Sequence, residues 1–106
     1  MASSQKTVDF IVEQMSAAGI ITSKKMFGEY CLYLDGKVIA FVCDDALFIK
    51  PTEDGKKFYP EAEMAPAYPG SKDYLLISED KWEDREFISK LAVVTASSLP
   101  NPKLKK

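Results

Sequence analysis

The chain contains no histidine and a single arginine, Arg85. Without histidine, the commonest general base and the commonest metal ligand are both missing. Two cysteines, Cys31 and Cys43, are too few for a disulfide scaffold. They also fall short of the four ligands a structural zinc site needs. A nucleophilic thiol normally hands its proton to a neighbouring base, and histidine is not there to take it. The five glycines stand apart at 19, 28, 36, 55 and 70, so neither a phosphate loop nor a dinucleotide-binding turn is present. No apolar run approaches the roughly 20 residues of a membrane span. Residues 1–6 lack the apolar stretch of a secretory signal. These absences lead to the expectation of a cytoplasmic, non-enzymatic protein with no membrane association, no cofactor, no metal and no catalytic residue.

What is there suits one small globular domain. Of the 106 residues, 46% are hydrophobic and 28% charged, and twelve are aromatic. That is enough apolar surface for a packed core. One domain is expected over 1–106, with an ordered core at about 3–98 and a basic tail at 99–106. The tail holds Lys103, Lys105 and Lys106, and reads as a solvated end. Without those three, eleven basic side chains face sixteen acidic ones, a net of −5. Residues 79–86 alone carry five acids against Lys81 and Arg85. A body of this sign repels a phosphate backbone, which argues against direct nucleic-acid binding.

Periodicity divides the chain into elements. Ser3 or Ser4 can cap a helix reaching about Ala18, with Val8, Ile11, Val12 and Met15 on its buried stripe and Phe10 off it. Gly19 is placed to end that helix in the left-handed conformation. The period then shifts toward two, giving strands at about 22–27, 30–34, 38–43 and 47–50. Asp35-Gly36 marks a two-residue hairpin turn, and Asp44-Asp45 the next. Adjacent carboxylates could hold a cation, but at a hairpin they read as turn formers. Thr52 can cap a short helix through about Tyr59. The prolines of 60–71 predict a loop. Residues 74–77 form one more strand, 79–83 a short turn, and 85–98 a helix lined by Phe87, Ile88, Leu91, Ala92 and Thr95. Pro100 and Pro102 stop it.

A two-residue loop at Asp35-Gly36 pairs Leu34 with Lys37, Cys31 with Ala40 and Gly28 with Cys43. That register puts Tyr30, Leu32, Leu34, Ile39, Phe41 and Cys43 on one face. Cys31, Tyr33, Val38, Ala40 and Val42 fall on the other. The two cysteines then point apart, which excludes a disulfide between them. Both faces are apolar. Either the chain's own helices and loops cover both, or one is a contact surface. Tyr33, Val38 and Val42 are the partner-facing candidates on the second face. Trp82 reads as an anchor for the last helix, or else as a further partner-facing residue.

Taken in order, Lys24-Lys25-Met26-Phe27-Gly28-Glu29-Tyr30-Cys31-Leu32-Tyr33 resembles a basic-basic-Met-Phe-Gly signature leading to a Leu-Tyr pair. With the Asp35-Gly36 turn, Leu47-Phe48-Ile49-Lys50, Tyr74 and Trp82-Glu83-Asp84, the chain is similar over about 3–98 to the N-terminal domain of the TfoX/Sxy family. Members are bacterial regulators of natural competence genes. Ser78 and Arg85 stand where the family often has proline, and the second, C-terminal domain of full-length regulators is not in this sequence. The resemblance implies an α+β fold: an antiparallel sheet of about five strands with an N-terminal helix, a short middle helix and a C-terminal helix. It implies a regulatory role in competence or transcription through protein contacts, with the cyclic-AMP receptor protein or the transcription machinery as partner. It supplies no catalytic residues. Physically, its signature residues Met26, Phe27, Gly28, Tyr30, Leu32 and Tyr33 read as architecture, Gly28 allowing a bulge between strands. A small-ligand module with a pocket between sheet and helices is the alternative function. A homodimer through the second apolar face is compatible with either.

Overall fold

The computed structural model describes residues 4–26 and 29–99, with Met26 placed by its backbone alone. Phe27, Gly28, the Met26 side chain, the proposed Gly28–Cys43 pairing and the tail beyond Leu99 lie outside the described residues. The first helix, α1 (Gln5–Met15), starts where Ser4 accepts a hydrogen bond from the Thr7 N–H. A 3-10 turn, Ser16–Ala18, finishes it. Gly19 follows with φ 148° and ψ −152°, a positive φ but not the expected left-handed helical cap. Glycine is needed there for space as well. A Cβ would sit 2.9 Å from Leu34 Cδ1.

Next come β1 (Ile21–Met26), β2 (Glu29–Leu34), β3 (Lys37–Cys43) and β4 (Ala46–Ile49), then α2 (Glu53–Phe58). After these lie β5 (Glu63–Pro66), β6 (Asp73–Ile77), α3 (Glu79–Trp82) and α4 (Arg85–Ser97). The sheet has six antiparallel strands in the order β1-β2-β3-β4-β6-β5, one more than the approximate five expected. β5 forms inside the segment expected to be loop. Its pairing with β6 supplies what its composition does not, and Pro66 sits at its end on the outer edge, where a missing N–H costs little.

Both hairpin turns form as expected. Asp35 and Gly36 have φ 50° and 88°, and Asp44 and Asp45 have φ 55° and 57°, the positive values a type I′ turn requires. The register between β2 and β3 differs from the expectation. Leu34 does pair with Lys37, and Tyr33 with Val38, but Leu32 pairs with Ala40 and Cys31 with Phe41. Ile39 is an extra residue on β3, a β-bulge. Beyond it every side chain of β3 changes face. Ala40 and Val42 therefore join Tyr30, Leu32, Leu34 and Ile39 on one side. Phe41 and Cys43 move to the side of Cys31, Tyr33 and Val38.

All four helices contribute to the core on the first side. Val8, Ile11 and Met15 of α1, Trp82 of α3, and Ile88, Leu91, Ala92 and Ala96 of α4 pack on Leu32, Ile39, Val42, Leu47, Ile49, Leu75 and Ile77. Phe58 at the end of α2 stacks on Phe87, with ring centroids 5.2 Å apart. Trp82 is buried, and its indole Nε1–H donates to the Ile77 carbonyl at 3.0 Å. This ties α3 to the end of β6. Gln14 Nε2 donates to the Trp82 carbonyl, and Ser89 Oγ to the Gln14 carbonyl, which locks α1 to α3 and α4. Lys37 Nζ donates to the Ala96 and Leu99 carbonyls and so closes the C-terminal end of α4.

Candidate protein-contact face

The opposite side of the sheet carries no helix among the described residues. Its residues follow from strand alternation and the five ladders. One row crosses the whole sheet: Lys24, Cys31, Phe41, Phe48, Leu76 and Glu63. Beside it lie Tyr33 and Val38, then Cys43 and Ala46, then Tyr74 and Ala65. Cys43, Phe48, Tyr74 and Ala67 form a second apolar cluster, with Phe41, Ala46, Ala65 and Leu76 packed against it. The Phe41 and Tyr74 rings meet edge to face at 5.5 Å, which brings them together above β4 and buries Phe48 beneath. Among the described residues the only cover from outside the strands is the loop carrying Ala67. That loop is pinned by Ser71 Oγ, which accepts from the Ala67 N–H.

Tyr33, Val38, Phe41 and Leu76 are half-buried on this face, while Tyr68 beside it is 52% exposed. Lys24 and Glu63, at the two edges, are exposed. The face thus has an apolar, largely self-covered centre, with Lys24 and Glu63 at its two edges and Glu29 and Lys50, which act on Cys43 and Cys31, on the same side.

Of the partner-facing candidates, Tyr33 and Val38 lie here. Val42 does not. It is fully buried under the helices, because the Ile39 bulge turned it to the other side. Trp82 is also enclosed, at 7% exposure, and acts as the anchor. Tyr30 and Leu32 of the signature belong to the core, and the Tyr30 hydroxyl donates to Gln5 Oε1 at 3.1 Å. Phe41, Phe48, Leu76 and Tyr74 were not singled out as partner-facing from the sequence. Only the bulge reveals that Phe41 shares a face with Tyr33.

The cysteine expectation also changes. Cys31 and Cys43 share this helix-free side, contrary to the register read from the turn, yet both are free thiols. Cys43 stands two residues beyond the partner of Cys31, a diagonal separation of about 7–8 Å between Cα atoms in a regular sheet, longer than a disulfide spans. Burial pushes the Cys43 thiol up to about 11, with Glu29 and Asp44 adding to the effect. Burial raises Cys31 too, against a smaller opposing influence of a hydrogen bond with Tyr33. That same bond holds the Tyr33 phenol above its ordinary value. Such thiols are held protonated and behave as small apolar side chains.

Among the described residues the hollows elsewhere are shallow. One of about 270 Å³ lies beside Ala18, Ser89 and Val93, one of about 240 Å³ between Trp82, Ile77 and Glu63, and one of about 200 Å³ between Tyr59, Leu75 and Met64. All three are smaller than the roughly 300 Å³ at which small-molecule sites begin. Among the described residues no three cysteine, aspartate or glutamate side chains converge on a metal position. No helix there is long and apolar enough to cross a membrane.

The pattern of the TfoX N-terminal domain matches residues 13–98. The chain belongs to the TfoX N-terminal domain family. The match runs from the second half of α1 to the end of α4 and includes the whole helix-free face. This TfoX domain is also similar to a protein of Spirochaeta aurantia described as an uncharacterized 12.7 kDa protein in the trpE 5′ region. The two are 39% identical over 106 residues, covering 100% of this chain and 91% of the relative.

Proposed function

We propose that this TfoX N-terminal domain is a cytoplasmic regulatory protein that works by contacting another protein and not by catalysis. The observation that carries the reading is the one-sided placement of the helices. A two-layer domain that needed only to fold would wet the bare side of its sheet with polar residues. Here Tyr33, Val38, Phe41 and Leu76 occupy it instead. Family membership supports a regulatory role. The process proposed is competence or transcription control, with the cyclic-AMP receptor protein or the transcription machinery as the protein regulated.

The test uses Tyr33→Asp, which places a charge on the bare face without entering the helix-side core. The host's transcripts are compared between wild type, deletion and Tyr33→Asp strains. Titration calorimetry of the purified domain against the host's cyclic-AMP receptor protein accompanies it. A folded Tyr33→Asp protein that mimics the deletion supports the reading. A folded variant that regulates as wild type overturns it.

A further inference from the structure

We propose that a second copy of this chain covers the helix-free face, related to the first by a two-fold axis parallel to the strands. The inference rests on reading that face as a contact surface and names its occupant. The row Lys24–Cys31–Phe41–Phe48–Leu76–Glu63 spans all six strands. Its ends carry opposite charges and its four inner residues are apolar. Rotation about an axis parallel to the strands, passing between β3 and β4, preserves the row and reverses its order. Lys24 then meets the partner's Glu63, and the half-buried Phe41 and Leu76 are the inner residues of the row that reach the partner, Cys31 and Phe48 lying buried beneath their own chain. By symmetry each pairing occurs twice, as an isologous interface requires.

The alternative two-fold axis, across the strands, would set Lys24 against the partner's Lys24 and Glu63 against the partner's Glu63. The two edge charges therefore favour one of the two ways of stacking the face on itself. Among the described residues neither Lys24 nor Glu63 makes an ion pair within its own chain, and both are exposed. Both side chains are long enough to bridge the offset that sheet twist introduces between aligned sheets.

The size suits a weak, reversible pair. Six strands at about 4.8 Å spacing make a face about 29 Å wide, and three rows make it about 20 Å deep. That outline of about 600 Å² per copy, about 1,200 Å² in all, is an upper bound, because Cys31, Cys43, Phe48 and Tyr74 within it are already buried by their own chain; it fits a weak, concentration-dependent pair. The resulting pair is a four-layer sandwich, helices outside and two sheets inside. Its association should lie in the micromolar range.

Sedimentation equilibrium between about 1 and 100 μM tests it. Wild type is expected to approach twice 11.8 kDa across this range. Lys24→Glu and Glu63→Lys each turn two attractions into two repulsions, and each should weaken the dimer roughly tenfold. The double variant Lys24→Glu/Glu63→Lys should restore wild-type association. Both positions are exposed on edge strands, so the fold survives the swaps. A monomer at every concentration overturns the proposal, and so does a dimer indifferent to both single swaps. A monomer whose Tyr33→Asp variant still loses regulation removes the second copy while leaving the contact face. A charge-sensitive dimer with intact regulation in Tyr33→Asp supports the second copy while removing the regulatory reading.

Discussion

Asp45 Oδ1 accepts a hydrogen bond at 2.8 Å from the backbone N–H of Ser4, the residue that caps α1. The tip of the β3–β4 hairpin thereby fixes the start of a helix 41 residues earlier in the chain. The same turn is held from the other side, where the Asp44 N–H donates to Glu29 Oε1. Two non-glycine residues at φ 55° and 57° are retained at a turn where glycine would be less strained. The Ser4 bond gives a reason for the aspartate at 45.

Asp45→Ala should lose about 1–2 kcal/mol, combining a lost charge-assisted bond with a left-handed alanine. Asp44→Gly keeps its N–H and relieves strain, so it should be neutral or stabilising by up to about 1 kcal/mol. Urea unfolding monitored by Trp82 fluorescence separates the two. Equal losses in both would show that the Ser4 contact contributes nothing.

Val42→Asp and Tyr33→Asp should behave oppositely despite their close places in the sheet. Val42 is wholly buried among Tyr30, Leu47 and the helices, so an aspartate there costs upward of about 3 kcal/mol and should abolish cooperative unfolding. Tyr33→Asp should keep the fold and lose no more than about 2 kcal/mol. Circular dichroism melts of the pair decide it. A folded Val42→Asp protein would contradict the bulge at Ile39.

Gly19→Ala forces a Cβ to within 2.9 Å of Leu34 Cδ1 at a backbone φ of 148°. A loss of about 1–3 kcal/mol is expected, since neither the steric contact nor the dihedral suits alanine. Thermal denaturation unchanged from wild type would rule out this close approach.

Trp82→Phe retains most of the packing but strands the Ile77 carbonyl. The expected cost is about 1–3 kcal/mol. Comparison with Trp82→Ala, expected to cost about 3–5 kcal/mol, isolates the hydrogen bond from the ring.

The raised thiols set a pH dependence. Cys43 goes from an ordinary value of 9.0 to about 11, chiefly through burial. The folded protein therefore holds this proton more tightly than the unfolded chain. Its contribution is fully present below pH 9 and is lost as pH rises through about 11. Burial raises Tyr74 in the same sense. Melting temperature should hold steady up to pH 9 and fall between 9 and 11. At pH 8 the native Cys43 should react with iodoacetamide roughly a hundredfold more slowly than an exposed thiol. Rapid alkylation without unfolding would show that the face opens.

The sequence carried most of the architecture through its punctuation. Ser4 and Thr52 were legible as caps because short polar side chains accept from N–H groups two or three residues on. Both hairpins were legible because few residue pairs tolerate two positive φ angles. What was not legible depended on pairing between distant segments. The bulge at Ile39 leaves no local mark, since Val38, Ile39 and Ala40 are all apolar and read equally well in either register. From that one extra residue follow the misplaced Val42, the opposed faces assigned to Cys31 and Cys43, and the failure to group Phe41 with Tyr33. β5 escaped for a related reason. Glu63-Met64-Ala65-Pro66 has little strand propensity and becomes a strand because β6 offers it a ladder.

The order β4-β6-β5 sets a sequence of events in time. β1 to β4 form a meander, each strand beside its chain neighbour, and such local pairings close early. β5 pairs only with β6, so it joins the rest of the sheet only when β6 docks on β4. Until then β5 and β6 can close only as a hairpin of their own, and, held by a single ladder at the sheet's edge, β5 should leave first on unfolding. Amide exchange should therefore be fastest at Met64 and Ala65 and slowest at Ala40 and Leu47, giving this small sheet a soft edge and a hard centre.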